Sequence, residues 1–222
     1  MHSAVQIAHA AFEGRSGRLA LGLGAYGATM IPGQEYSGMY GDRVRVEWLR
    51  EWHLQRVRLF YDGAEALGAE RCWEKIEFLA FETLPLLSEV SAVREAMGAV
   101  AAETTGRERG FWISCVFPGR GNILPDGSSV EQVVRAMLGK KDGAAIPSGV
   151  GINCTRVGKI EGLIVEFENA VKKMVDANEA DQWPDLVICP DATNGEVYNT
   201  TTQQWEKGGE ELNSVCSNYT CA

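Results

Sequence analysis

The residue that most invites chemistry in this chain is a cysteine. Gly151-Ile152-Asn153-Cys154-Thr155 closes a short apolar run, Ala144 to Ile152, with a polar pair. In an alternating β/α protein this places a thiol at the C-terminal tip of a parallel strand, where such folds gather their reacting groups. A thiolate at that point serves as a zinc ligand or a nucleophile. The plainer reading is a small apolar residue packed inside a strand. Zinc takes three or four protein ligands, so Cys154 alone does not make a site. The remaining cysteines, Cys72, Cys115, Cys189, Cys216 and Cys221, are widely and irregularly spaced. Cys216 and Cys221 stand in a polar tail without Cys-x-x-Cys spacing and read as exposed thiols.

Other reactive side chains close apolar runs in the same way. Glu82 follows Phe78-Leu79-Ala80-Phe81. Facing the mouth of a barrel it would bind a substrate ammonium group through a charge-assisted hydrogen bond; in a loop it would be a solvated acid. Ser114, Cys115 and Asp191 also end apolar runs, and Glu82 with Asp191 is a possible acid–base pair. His2, His9 and His53 lie near no strand end. A Ser-His or Cys-His mechanism therefore lacks an evident base. The glycines of Gly22-Leu23-Gly24-Ala25-Tyr26-Gly27 do not have G-x-G-x-x-G spacing, and no basic residue follows as a P-loop requires. They read as a tight turn leaving a strand. Asn194-Gly195 is turn chemistry.

The elements that must hold these residues alternate along the chain. Leu19 to Gly24, Ile76 to Phe81, Phe111 to Phe117, Val150 to Asn153 and Leu186 to Cys189 read as strands. Between them lie helical patterns. Leu49, Val57, Phe60, Ala64 and Leu67 mark one face of a helix over roughly Val44 to Leu67. Pro85 suits the start of a helix over Leu86 to Ala102. Ser128 or Ser129 can cap Val130 to Leu138, with Glu131 and Gln132 in its first turn. Ile160, Leu163, Ile164, Phe167, Val171 and Met174 share a face of Ile160 to Ala177. Five strands with helical crossovers imply a parallel α/β sheet built from right-handed units. Strand number favours an open doubly wound sheet; the polar residue at each of several strand tips favours part of a (β/α)8 barrel.

Composition narrows the partners. The chain has 222 residues, 45% of them hydrophobic, and a formal net charge of -9. The length suits one domain. The acidic balance argues against nucleic acid and anionic membranes, which need a basic footprint. No apolar run approaches the roughly 18 residues of a membrane span, and Met1 to Gly14 lacks the pattern of a secretory signal. The expectation is a cytoplasmic protein with reduced thiols.

Taken together, several motifs resemble one family, the zinc-dependent homocysteine S-methyltransferases of fungal type. They are Leu21 to Thr29, Glu35-Tyr36-Ser37-Gly38, Trp52-His53-Leu54, Ala80-Phe81-Glu82-Thr83-Leu84-Pro85, Phe111 to Pro118, Leu124 to Ser129, Gly151 to Thr155, and Pro190 to Gln203. They run in order from about Leu19 to Glu206.

The resemblance implies a (β/α)8 barrel that moves a methyl group from a sulfonium, S-methylmethionine or S-adenosylmethionine, to the zinc-bound thiol of homocysteine, giving methionine. It implies Cys154 as a zinc ligand, Glu82 as the acid holding the homocysteine amino group, and Asn153 as a substrate-pocket residue. Tyr26 and Ser114 fall in matching strand-end segments and are expected to bind substrate. Two parts of the family pattern have no counterpart: an Asp-Gly-Gly before Leu19, and a Gly-Gly-Cys-Cys carrying two further zinc ligands. Residues Ala4 to Phe12 resemble the helix before the third barrel strand, and the likeness stops near Gly208-Gly209. The expectation is a partial TIM-type barrel, strands three to seven of eight. Residues 1–209 form an incomplete homocysteine-binding domain and 210–222 a divergent tail. Its open sheet edges would favour self-association, and with zinc ligands missing its activity is in question. A non-catalytic binding or regulatory fragment of the family is the alternative.

Overall fold

The computed structural model describes residues 2–12, 14, 16–42, 44–61, 72–181, 183–193, 196–199 and 201–207. Cys216, Cys221, the 210–222 tail, Asn194-Gly195 and the expected helix beyond Tyr61 lie outside them. Five strands, β1 (Ala20–Gly24), β2 (Phe78–Leu84), β3 (Gly110–Cys115), β4 (Gly149–Arg156) and β5 (Asp185–Asp191), form one sheet. Its order is β1-β2-β3-β4-β5 and every pairing is parallel. A doubly wound sheet reverses direction at a switch point. This sheet winds one way only, as in a barrel, so the architecture is a partial (β/α)8-type sheet.

Helices α1 (His2–Ala11), α2 (Val46–Tyr61), α3 (Cys72–Lys75), α4 (Leu87–Glu103), α5 (Val130–Leu138) and α6 (Val157–Asp176) supply the cover. One helix start is especially well specified. The Ser129 hydroxyl accepts the Gln132 N–H at 3.3 Å, and the Gln132 side chain accepts the Ser129 N–H at 2.8 Å. This reciprocal capping box makes Ser129, of the two candidates Ser128 and Ser129, the residue that caps α5.

The core lies between sheet and helices. Leu79 and Phe81 of β2, Ile113 and Cys115 of β3, and Val150 and Ile152 of β4 pack there, buried, against Val57, Val93, Val133 and Leu163. Successive strand residues face opposite sides. The other face therefore carries Gly22 and Gly24, Ala80 and Glu82, Trp112 and Ser114, Gly149, Gly151 and Asn153, and Val187 and Cys189. Gly151 is required there, because a Cβ would collide with the Val187 carbonyl of β5.

Among the described residues, β1 and β5 each pair on one side only. The described residues also include an antiparallel hairpin, β6 (Glu196–Asn199) with β7 (Gln204–Lys207). Among the described residues, no helix is long and apolar enough to cross a membrane.

Candidate functional site

The strands that carry the expected site residues run further than their apolar segments. β2 continues past Phe81 and β4 past Asn153, each across a register shift. At each shift one residue adopts a left-handed backbone: Thr83 at φ 61° and Cys154 at φ 49°. For L-residues this conformation is uncommon and held by surrounding structure.

Asn153 provides that hold. Its Oδ1 accepts the Thr83 N–H at 2.8 Å and its Nδ2 donates to Thr83 Oγ1 at 2.7 Å. The same Nδ2 lies 3.2 Å from Cys154 Sγ, and Thr83 Oγ1 lies 3.6 Å from it. β2 and β4 are not sheet neighbours; β3 stands between them but ends at Cys115. Asn153 thus clasps two strand tips beyond the end of the intervening strand and holds the Cys154 thiol at the C-terminal edge of the sheet.

The other expected residues fall into two groups. Glu82 is half-buried on the inner face, in register with Gly24, and Trp112 Nε1 approaches its Oε1 at 3.4 Å. Ser114 lies on the same face, wholly buried, and its Oγ has no hydrogen-bond partner among the described residues. An unpaired buried hydroxyl costs about 1–3 kcal/mol, so a polar group delivered to it is favoured. Tyr26 stands apart, in a 3-10 turn after β1 (Tyr26–Thr29). Its ring packs edge-on against Tyr40, Trp48 and Trp52, with centroids 4.7–5.4 Å away.

Four residues that sequence reasoning gave no role also bear on the site. Cys189 lies in register with Asn153 on the edge strand. Its thiol is pushed above the usual range by burial, then by Glu82 and Cys154 nearby. Tyr36 is 47% exposed as a residue and lies near the Cys154 thiol. Burial first, and then that neighbour, hold the phenol well above its ordinary pKa. Glu89, on α4 and wholly buried, accepts from the Tyr26 N–H at 2.7 Å and from the Tyr40 hydroxyl at 2.7 Å. His53, equally buried, meets the same carboxyl group through Nε2 at 3.0 Å. Tyr36 and His53 stood in motifs that carry the family resemblance, without an assigned role; Glu89 sits in an ordinary helical pattern. Asp191, the other half of the acid–base alternative, accepts the Thr193 N–H at 2.8 Å in the turn after β5.

Among the described residues, no three His, Cys, Asp or Glu side chains converge to hold a metal ion. Asn153 and Thr83 donate hydrogen bonds to the Cys154 sulfur rather than share a cation with it. The described residues alone do not fit a zinc centre.

The fold and the strand-tip thiol define a singly wound parallel α/β protein with its site at the C-terminal edge of the sheet. The chain belongs to the homocysteine S-methyltransferase family, whose model matches residues 1–218. It is 29% identical to a selenocysteine Se-methyltransferase of Brassica oleracea var. italica, over 84% of this chain and 44% of that protein. It is also 29% identical to homocysteine S-methyltransferase 3 of Arabidopsis thaliana, over 90% of this chain and 49% of that protein. The chain spans about half the length of these curated relatives. The homocysteine methyltransferase MmuM from Escherichia coli, solved in a metallated form, is similar at a TM-score of 0.48 and 23% identity, over 85% of this chain and 62% of that one.

Proposed function

We propose that the chain transfers a methyl group from a sulfonium donor, S-methylmethionine or S-adenosylmethionine, to the thiol of homocysteine, giving methionine. The observation that carries this reading is the Cys154 thiol, held by Asn153 and Thr83 at the mouth of the sheet. Glu82 on the inner face supports it. In the reaction the acceptor sulfur, as thiolate, attacks the methyl carbon. The new S–C bond forms as the methyl–sulfonium bond breaks, the donor leaves as a neutral thioether with the bonding pair, and the thiol proton passes to solvent. The protein's contribution is alignment and exclusion of water. Glu82 takes the ammonium group of homocysteine, the orphaned Ser114 hydroxyl takes a polar group of the substrate, and Asn153 fixes the pocket wall. Tyr26 shapes the rim from its aromatic cluster.

Zinc enters the proposal to a limited extent. Cys154 is the ligand that the described residues offer, and zinc would lower the acceptor thiol's pKa when bound. The proposal includes residues 1–209 as the homocysteine-binding unit and 210–222 as a divergent tail. It also includes a cytoplasmic setting, which the unpaired thiols Cys115, Cys154 and Cys189 support, and self-association through the open β1 and β5 edges. Gel filtration over a range of concentrations tests that association; a fixed monomer rejects it.

A second reading, a non-catalytic binding member of the family, is favoured by the absence of a metal-holding trio among the described residues. The deciding experiment is methionine formation from homocysteine and each donor, with zinc supplied, in the native chain and in Cys154→Ser. Methyl transfer that falls at least about 100-fold in the variant supports catalysis through this site, given the scale of effects at reacting centres. No transfer by the native chain favours the second reading. Undiminished transfer in Cys154→Ser favours the Glu82–Asp191 alternative.

A further inference from the structure

Thr155 follows the strand-tip thiol in the chain and is wholly buried. A hydroxyl out of water needs partners, and this one has two. Its Oγ1 donates to the Asn153 carbonyl at 3.0 Å and accepts the Phe117 N–H at 2.9 Å. The first bond spans Cys154, joining the residue before it to the residue after it. The second reaches the chain just beyond the end of β3.

The bulge in β4 explains why a side chain serves here. Asn153 pairs with Cys189 and Arg156 with Asp191, so Cys154 and Thr155 stand against the single residue Pro190 of β5. Proline brings no N–H to the ladder, and a bulged strand is locally short of pairing. Cys154 sits at this point in the left-handed region, at φ 49°. Such a backbone persists where its surroundings hold it. Phe117 is a firm attachment for that hold. Its ring is buried against Phe167, with centroids 6.1 Å apart, and its carbonyl accepts Lys159 Nζ at 2.6 Å.

We propose that Thr155 is a positioning residue for the thiol: its hydroxyl closes the bulge across Cys154 and ties it to the exit of β3. This sets the backbone from which Cys154 Sγ meets Asn153 Nδ2 at 3.2 Å and Thr83 Oγ1 at 3.6 Å. The Thr155 hydroxyl is committed to two backbone groups, so it acts through Cys154 and not on a substrate. Asn153 and Thr83 hold the sulfur; Thr155 holds the main chain that carries it. The inference rests on the proposed function only for the reaction that this thiol serves.

The test is the alkylation rate of Cys154 by iodoacetamide, followed by peptide mass spectrometry. It is read on the alkaline plateau, where the thiol is ionised and the rate reports access. Cys72, wholly buried in α3, is the internal control for loosening of the whole fold. Thr155→Val keeps the shape and removes the hydroxyl. It is expected to raise the Cys154 rate by about fivefold or more, the effect of one lost hydrogen bond, with Cys72 unchanged. Thr155→Ser restores the hydroxyl and is expected to stay within about twofold of the native chain, the scale of a neutral substitution. Thr155→Ala removes the same hydroxyl without setting a methyl group against the Phe117 N–H, and it carries the same expectation if Thr155→Val fails to fold. The proposal is overturned if the variants lacking the hydroxyl leave the Cys154 rate unchanged or slow it. It is equally overturned if Thr155→Ser raises the rate as much as they do, or if Cys72 rises in step with Cys154. Alkylation requires no turnover, so failed methyl transfer counts against the proposed reaction alone, and a failed alkylation result against the role of Thr155 alone.

Discussion

At the scale of single residues, the site divides into groups that hold and groups that are held. Cys154 is held by Asn153 and Thr83. Glu82 is available, because its recorded partner, the Trp112 indole, sits at 3.4 Å, the long end of a hydrogen bond. A carboxylate with spare acceptor capacity on the inner face of the sheet suits an ammonium ligand. Replacing Glu82 with Gln is therefore expected to raise the KM for homocysteine about 10- to 100-fold, the loss of one charged hydrogen bond worth about 1.5–3 kcal/mol. The half-buried position implies little change in unfolding free energy. Steady-state kinetics and a urea titration check both parts; an unchanged KM removes Glu82 from the ammonium site.

At the scale of elements, the bulges at the ends of β2 and β4 matter most. They re-aim Thr83 and Cys154, and Asn153 stitches them together. Asn153→Ala leaves the Thr83 N–H without its partner and frees both left-handed residues. A destabilisation of about 2–3 kcal/mol in urea is expected, together with loss of methyl transfer. A stability within about 0.5 kcal/mol of native would show that the clasp contributes nothing. These bulges also explain what the sequence could and could not reveal. Apolar alternation ended the strands at Phe81, Asn153 and Cys189, whereas they continue to Leu84, Arg156 and Asp191. A bulge breaks the two-residue period, so Glu82-Thr83 and Cys154-Thr155 resemble loop. The start of α5 was legible to within one residue, Ser128 or Ser129, because its cap is local, with Ser129 and Gln132 three positions apart. α6 begins at Val157, three residues before its apolar stripe, and Lys159 in its first turn donates to the carbonyls of Phe117, Gly119 and Gly121. The His53–Glu89 pair spans two helices 36 positions apart, and the Glu89–Tyr40 bond 49, so no spacing rule reaches them. The β6–β7 hairpin is too polar to show strand periodicity.

At the scale of the whole molecule, one buried histidine couples stability to pH. Burial lowers the pKa of His53 below its usual 6.5 and outweighs the hydrogen bond to Glu89, which pulls the other way. The unfolded chain takes up a proton below about pH 6.5 that the folded chain resists, so stability falls as pH drops through that region. This group alone accounts for at most about 1.4 kcal/mol per pH unit there. Urea midpoints at pH 7.5, 6.5 and 5.5, compared between the native chain and His53→Gln, isolate its share; identical slopes would exclude it. The pairing of Glu82 with Trp112 has a consequence of an optical kind. The chain holds six tryptophans, and Trp112 is the one whose indole N–H points at the acid proposed to receive the ligand's ammonium group. Neutralising that charge changes the field across the indole, so adding homocysteine shifts the emission, and subtracting the spectrum of Trp112→Phe leaves the shift of this ring alone. The chain thus carries its own readout of occupancy, one that needs neither methyl donor nor turnover.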